Sequence, residues 1–318
     1  MPTSLLDLFR VLSSFEPPRR SLADAPWEQY VDWSIAQGLA PLAAYNLEFR
    51  LAGADAPEWA RDRLLSIYQG SINDTLMKLM SFKAAVGAIT GERLLLLGAA
   101  SFLESLYPHV GFRPLPEIEL LAKGSGQDAL LAALHEAHFR EESREDTILI
   151  LSDTRTQVRL LSALLPTRPE DEALFQRARP IAVYGPSVFR LDLEDAILAL
   201  ALAQARTGYQ LPMISFVDLR ELLNGAPSVN GPYSRAPNWE LLKKRAASWH
   251  IERALFASVA IVGRLFPEAA SAAESAKPAL RPPSRNLLDR VIIAPVSTLG
   301  RTRVIRGADR LTRLLVGA

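Results

Sequence analysis

Arg93-Leu94-Leu95-Leu96-Leu97-Gly98-Ala99, followed after a short helical segment by Arg113-Pro114-Leu115-Pro116-Glu117-Ile118-Glu119-Leu120-Leu121, decides how this 318-residue chain is read. An apolar strand breaks at a glycine and a helix follows. A second apolar strand then carries two carboxylates one residue apart. Side chains alternate faces along a strand, so Glu117 and Glu119 project from the same side. A tight turn at Gly98 lets a helix N-terminus aim its free amides at an anion such as phosphate. Two carboxylates on one face can hold one or two divalent cations, which would bridge to that phosphate and orient an in-line attack. Strand-glycine-helix is a common arrangement, however, and a Glu-x-Glu pair is often a solvated strand face. On the pattern alone both readings stay open.

The segments around this stretch differ in character. Upstream, residues 5–89 read as helical, with apolar residues three and four apart at Leu64, Leu65, Tyr68, Ile72, Leu76, Leu79 and Met80. Pro17 and Pro18 separate the first helix from the next, and a long helix over 58–90 ends at Gly91. In the middle, strands are predicted at 94–97 and 118–122 and helices at 99–107 and 124–138. Residues 147–151 and 157–161 read as a hairpin around Ser152-Asp153-Thr154-Arg155. Val183 and Phe189 flank Gly185-Pro186 as one more edge hairpin. Helices return downstream at 192–205, 212–223, 239–248 and 251–266. Residues 269–283, rich in Ala, Ser and Pro, read as a linker.

Composition narrows the chemistry. Lys plus Arg total 36 against 35 for Asp plus Glu. No global basic field exists to attract nucleic acid, which is not expected as a partner. Residues 281–313 are arginine-rich and acid-poor; they can meet a phosphate backbone or an anionic lipid surface, or remain a solvated tail. The absence of cysteine excludes disulfides, thiolate zinc sites and cysteine nucleophiles. Residues 1–10 lack the basic start of a secretion signal, and the run 196–205 is too short to span a bilayer. A cytoplasmic protein is the expectation.

In order and spacing the central stretch resembles the uncharacterised nucleotidyltransferase family, within the DNA polymerase β-like nucleotidyltransferase superfamily. That family carries a strand ending in Leu-Lys-Gly-Ala, a helix ending near Tyr-Pro, and then Arg-Pro-x-x-Asp-Ile-Asp-Leu-Leu-Val. The corresponding positions here are Leu96-Leu97-Gly98-Ala99, Tyr107-Pro108 and Arg113 to Ala122. A further family strand, Val-Asp-Leu-His-Trp, matches Val158-Arg159-Leu160-Leu161-Ser162. Flanking features agree: Trp33 and Pro41-Leu42 upstream, and Asp218-Leu219 and Asn238-Trp239 downstream. The resemblance covers about residues 25–266. It implies an α+β fold, with a nucleotidyltransferase-like small mixed sheet, a helical N-terminal layer and a helical C-terminal domain. The expected division is 1–90, 91–190 (the α/β core), 191–268, and 269–318 as linker and basic segment.

In such enzymes two Asp residues hold two Mg²⁺ ions on a nucleoside triphosphate, a third carboxylate helps bind the catalytic metal, and the glycine turn holds phosphates. By position, Gly98, Ala99 and Arg113 become the nucleotide- and phosphate-binding candidates, and Glu117 and Glu119 the metal ligands if the protein is active. Each catalytic position has nevertheless changed. Leu97 replaces a lysine and cannot meet a phosphate. Glu117 and Glu119 replace Asp, one methylene longer each, although Mg²⁺ demands near-octahedral geometry at about 2.1 Å. Catalytic groups must be held within roughly 0.5 Å. Arg159 stands at the third carboxylate, and a permanent cation neither ligates a metal nor acts as a base.

These departures make Glu117, Glu119 and Arg159 vestigial candidates. Arg159 is expected in the space of the metals, paired with Glu119 or Glu117 in a charge-assisted contact that can be bidentate; the alternative is an arginine in solvent beside unrelated glutamates. The expected function is a degenerate nucleotidyltransferase-fold protein acting through a ligand, such as a small nucleotide, or an unknown protein partner, with no cofactor. The alternatives are an active Glu-x-Glu nucleotidyltransferase using Mg²⁺ and NTP, and a helical interaction module. Elsewhere, His135 and His138, three apart on the 124–138 helix, read as surface residues. His109 reads as loop packing, Asp153 as a turn former, Arg113 as a loop anchor before a substrate ligand, and Asp218 as a cap or ion-pair partner.

Overall fold

The computed structural model describes residues 3–19, 21–51, 55–145, 147–165, 168–225, 233–276 and 286–299. In chain order, α1 (Leu5–Leu12), α2 (Trp27–Ala36), α3 (Ala40–Tyr45) and α4 (Glu58–Val86) come first. Then follow β1 (Leu94–Leu97), α5 (Gly98–Ser105), β2 (Ile118–Leu121), α6 (Ser125–Glu136), β3 (Arg140–Arg144), β4 (Ile148–Ser152) and β5 (Gln157–Leu161). Next are α7 (Arg168–Arg177), β6 (Arg179–Pro180), β7 (Val188–Arg190) and α8 (Leu193–Arg206). Then come α9 (Ile214–Asn224), α10 (Trp239–Ser248), α11 (Glu252–Leu265) and α12 (Ala270–Ser275), followed by a π-helical stretch, Asp289–Ile293, that runs into a short α-helix, Ala294–Ser297. The class is α+β, as the sequence predicts.

The chain forms two compact units, one of Met1–Gln69 with Ile197–Ala318 and one of Gly70–Ala196. These bounds differ from the expected division at 90, 190 and 268, because the first helices share a core with the last ones. Within that helical unit, Phe9 of α1 packs on Phe266 at 5.1 Å between ring centroids. Arg10 donates from Nε to the Leu265 carbonyl at 2.6 Å. Buried Arg220 of α9 donates to the Ser13 carbonyl at 2.7 Å. Its guanidinium also pairs with Glu221 and lies 4.4 Å from the Phe266 ring. Helix α1 starts at a capping box, with Ser4 and Asp7 satisfying one another's amides.

The second unit is built on a sheet of order β3-β4-β5-β2-β1-β7-β6. The β1–β2, β3–β4, β4–β5 and β6–β7 pairs are antiparallel, while β1–β7 and β2–β5 are parallel. Leu94–Leu97 is buried throughout, which suits a central strand covered on both faces. On one face Leu94, Leu96, Ile118, Leu120, Val158, Leu160 and Val188 form a core with Leu79, Phe82 and Val86 of α4, Leu103 of α5, and Leu130 and Leu134 of α6. Period-2 side chains from the strands thus meet period-3.6 side chains from the helices.

Several elements depart from the sequence expectation. Strand β3, Arg-Glu-Glu-Ser-Arg, is exposed along its whole length and carries no apolar alternation to announce it. Its charges suit an edge, where an apolar strand would invite pairing with another chain. The β6–β7 pair is the hairpin expected around Gly185, but β7 is interior, paired to β1 on its other side. Helix α7 lies in a polar stretch that carried no periodic signal. Helix α6 ends at Glu136, and His138 adopts φ 67, so His135 and His138 do not share a helical face. Ala270–Ser275 is helical where a linker was expected, since the alanines favour helix and no proline interrupts them. The arginine-rich stretch 301–313 lies outside the described residues. Among the described residues, no helix is long and apolar enough to cross a membrane.

Candidate functional site

Three central strands place one residue each in a row. Leu97 of β1 lies opposite Glu119 of β2, and Glu119 opposite Arg159 of β5. Residues opposite one another in a sheet share a face, so Leu97, Glu119 and Arg159 stand side by side. Their neighbours Leu96, Leu120 and Leu160 point into the core on the other face. Core packing thereby fixes the register, since a one-residue slip would bury Glu119 and Arg159 and expose the leucines.

Glu117, one residue before β2, lies two positions from Glu119. Arg159 donates from Nε to Glu117 Oε2 at 3.0 Å, with the two side chains 31% and 25% exposed. The partner is therefore Glu117, and the contact runs through Nε to one oxygen rather than through the full guanidinium fork. Loop geometry supports Glu117 from behind. Lys78 of α4 donates to the Leu115 carbonyl at 2.8 Å and is itself paired with Asp74 at 2.8 Å. Buried Arg113 donates from Nη1 to the Pro114 carbonyl at 3.1 Å, the anchoring role expected for it.

Glu119 is different. No described residue donates a hydrogen bond to its carboxylate. Burial and the adjacent Glu117 charge push its carboxyl above the usual carboxylate range, while Arg159 and Arg113 pull the other way. Its Oε2 lies against the glycine turn, 2.9 Å from where a Cβ on Gly98 would stand. Gly98 has φ +50, a backbone that favours glycine, and the helix following it starts without a capping side chain. Ala99 is in the first turn of that helix. The structure thus gathers Gly98, Arg113, Glu117, Glu119 and Arg159 at one end of the sheet.

The residues present do not fit Mg²⁺. A guanidinium occupies one of the two carboxylates that would ligate it, and Leu97 supplies no polar atom. Among the described residues, no group of three or more His, Asp or Glu side chains is placed to hold a metal. Mg²⁺ needs several hard oxygen ligands at nearly ideal geometry, and a permanent cation within reach of Glu117 opposes a second one.

The remaining sequence candidates take structural positions. His109 Nδ1 accepts the Gly111 amide at 3.1 Å and its ring lies 5.6 Å from that of Phe112, which makes it a loop-packing residue. Asp153 Oδ1 accepts the Arg155 and Thr156 amides at 2.7 and 2.6 Å, and Oδ2 accepts the Ser81 hydroxyl at 2.9 Å. Burial would raise its carboxyl, but these donors outweigh burial and hold it below the usual range. Asp218 is fully buried in α9. Sequence reasoning missed Lys78 as a support of the Glu117 loop; its only local signal is the Asp74–Lys78 spacing of four, which is common on helix surfaces.

The crystal structure of ANT(2")-Ia in complex with adenylyl-2"-tobramycin is similar at 15% sequence identity, covering 56% of this chain and 97% of that one, with a TM-score of 0.40. No curated protein matches. The model of the uncharacterised nucleotidyltransferase family matches residues 23–267. With the strand-glycine-helix unit and the Glu-x-Glu strand in place beside Arg159, the chain belongs to the uncharacterised nucleotidyltransferase family.

Proposed function

We propose that this protein is a degenerate member of its family, one that works by binding a ligand or a partner and does not transfer a nucleotide. The observation that supports this reading is the Arg159–Glu117 ion pair, set where metal-holding carboxylates would be needed. A nucleotidyl transfer requires charge stabilisation on the phosphates and an activated acceptor hydroxyl. Arg159 can neutralise a carboxylate or meet an anion, but it cannot take a proton from an acceptor. Leu97 contributes nothing to either task.

Calorimetry with ATP, CTP, GTP and UTP, each with and without Mg²⁺, tests the reading. The expected result is that Mg²⁺ neither creates nor strengthens nucleotide binding. Crystals soaked in Mn²⁺ and a nucleotide should show no metal between Glu117 and Glu119. Metal density there, or nucleotide affinity that rises about tenfold or more with Mg²⁺, would overturn it in favour of an active Glu-x-Glu enzyme.

A further inference from the structure

The row Leu97–Glu119–Arg159 contains one carboxylate to which no described residue donates a hydrogen bond, and it lies directly against the glycine turn. Its Oε2 comes within 2.9 Å of the position a Gly98 Cβ would take. Around it stand two cations, Arg159 across the strand and Arg113 from the preceding loop, one further carboxylate, Glu117, which Arg159 holds, and buried Leu97 on the other side. We propose that Glu119 is a built-in anion that fills the approach to the Gly98 turn, so that the chain shuts phosphate out of that turn with its own carboxylate. This rests on the degenerate reading, because a metal ion on Glu119 would cancel the charge that does the excluding.

The physical argument is one of like charge and reach. An Asp at position 119 would end one methylene short of the glutamate carboxylate, which here reaches the turn. An incoming phosphate would meet this negative charge in a partly desolvated site, where repulsion is stronger than in water. With that charge gone, two cations, Arg159 and Arg113, outnumber the remaining carboxylate Glu117, and the uncapped first turn of α5 adds to the attraction for an anion.

The test uses the full-length protein in EDTA, with inorganic pyrophosphate as the probe and calorimetry as the readout. Wild type is compared with Glu119→Gln, which removes charge and keeps volume, and Glu119→Ala, which removes both. Thermal melting establishes that each variant is folded. Wild type should give no measurable binding, and Glu119→Ala should bind at least about tenfold more tightly than the wild-type detection limit. Glu119→Gln should fall between them, and adding Arg159→Gln to Glu119→Ala should abolish the gain. Wild type binding as tightly as the variants, or folded variants that bind nothing, would overturn the proposal. Failure of the degenerate reading looks different: it is Mg²⁺-dependent nucleotide binding by the wild type.

Discussion

Replacing Arg159 with methionine keeps most of the aliphatic stem and deletes the charge, so it isolates the ion pair at the centre of the sheet. Arg159 Nε and Glu117 Oε2 are 3.0 Å apart. Unit charges about 4 Å apart interact by about 4 kcal/mol at an effective dielectric of about 20. Both side chains are about a quarter to a third exposed, so water screening and side-chain ordering leave about 1 kcal/mol. Removing the guanidinium also leaves Glu117 and Glu119 facing one another unneutralised, which brings the expected loss to about 2 kcal/mol. All five tryptophans, Trp27, Trp33, Trp59, Trp239 and Trp249, lie in the helical unit, so fluorescence would report on that unit's unfolding. Hydrogen exchange of peptides spanning β2 and β5 reads the sheet directly. Their amides should exchange about 30-fold faster in Arg159→Met where exchange reports opening of the unit. A double-mutant cycle with Glu117→Gln should give a coupling of about 1 kcal/mol, reduced in about 1 M salt, where the Debye length falls to about 3 Å. Unchanged exchange, or a coupling near zero, would refute the pair as the element that organises this end of the sheet.

Glu119→Gln should give a pH-dependent gain in stability. The folded-state carboxyl lies above its ordinary value, so wild type and variant differ least in acid, where folded and unfolded states both hold the proton. As pH rises from about 4.3 through the raised folded value, the wild type loses stability that the glutamine variant keeps; melting from pH 4 to 8 with a gap of the opposite sign would reject this. Gly98→Ala should destabilise by about 1 to 2 kcal/mol from backbone strain at φ +50. Glu119→Ala, which removes the contact with the new Cβ, should not restore the loss, and full rescue would place the cost in that contact instead. Phe82→Ala should cost about 3 to 5 kcal/mol, because the ring is fully buried in the sheet's helical core. Met80→Ala, on the same helix but 64% exposed, should stay within about 0.5 kcal/mol. Equal losses at the two positions in chemical denaturation would contradict the observed burial.

The strands legible in the sequence are those with strong apolar content between glycine and proline. Leu94–Leu97 matches in full, and Ile118–Leu121 and Gln157–Leu161 lie where periodicity places them. Strand β3 was not legible because an exposed edge has no core to pattern it, and its charges are the ordinary composition of a solvated loop. Helix α7 was missed for a similar reason: its polar sequence carries no strong hydrophobic period. Nor could the sequence join α1 with α9 and α11. Contacts such as Arg10 to the Leu265 carbonyl span 255 positions and leave no local trace.

At the site the division is equally physical. The sequence by itself determined which groups were available: two glutamates on one strand face, an arginine where a carboxylate would stand, and a leucine before the glycine. Chemistry is a property of residue type, so the loss of a metal-binding pattern could be argued before any fold was known. Only the tertiary structure decided how these groups share the space. Parallel pairing of β2 with β5 set Arg159 beside Glu119 in register, yet the long side chain reaches back to Glu117. The choice between two acids two residues apart depends on side-chain reach and on which carboxylate the surrounding backbone leaves accessible, and neither is written in one-dimensional spacing. The same packing leaves Glu119 against Gly98 with no hydrogen bond from any described residue.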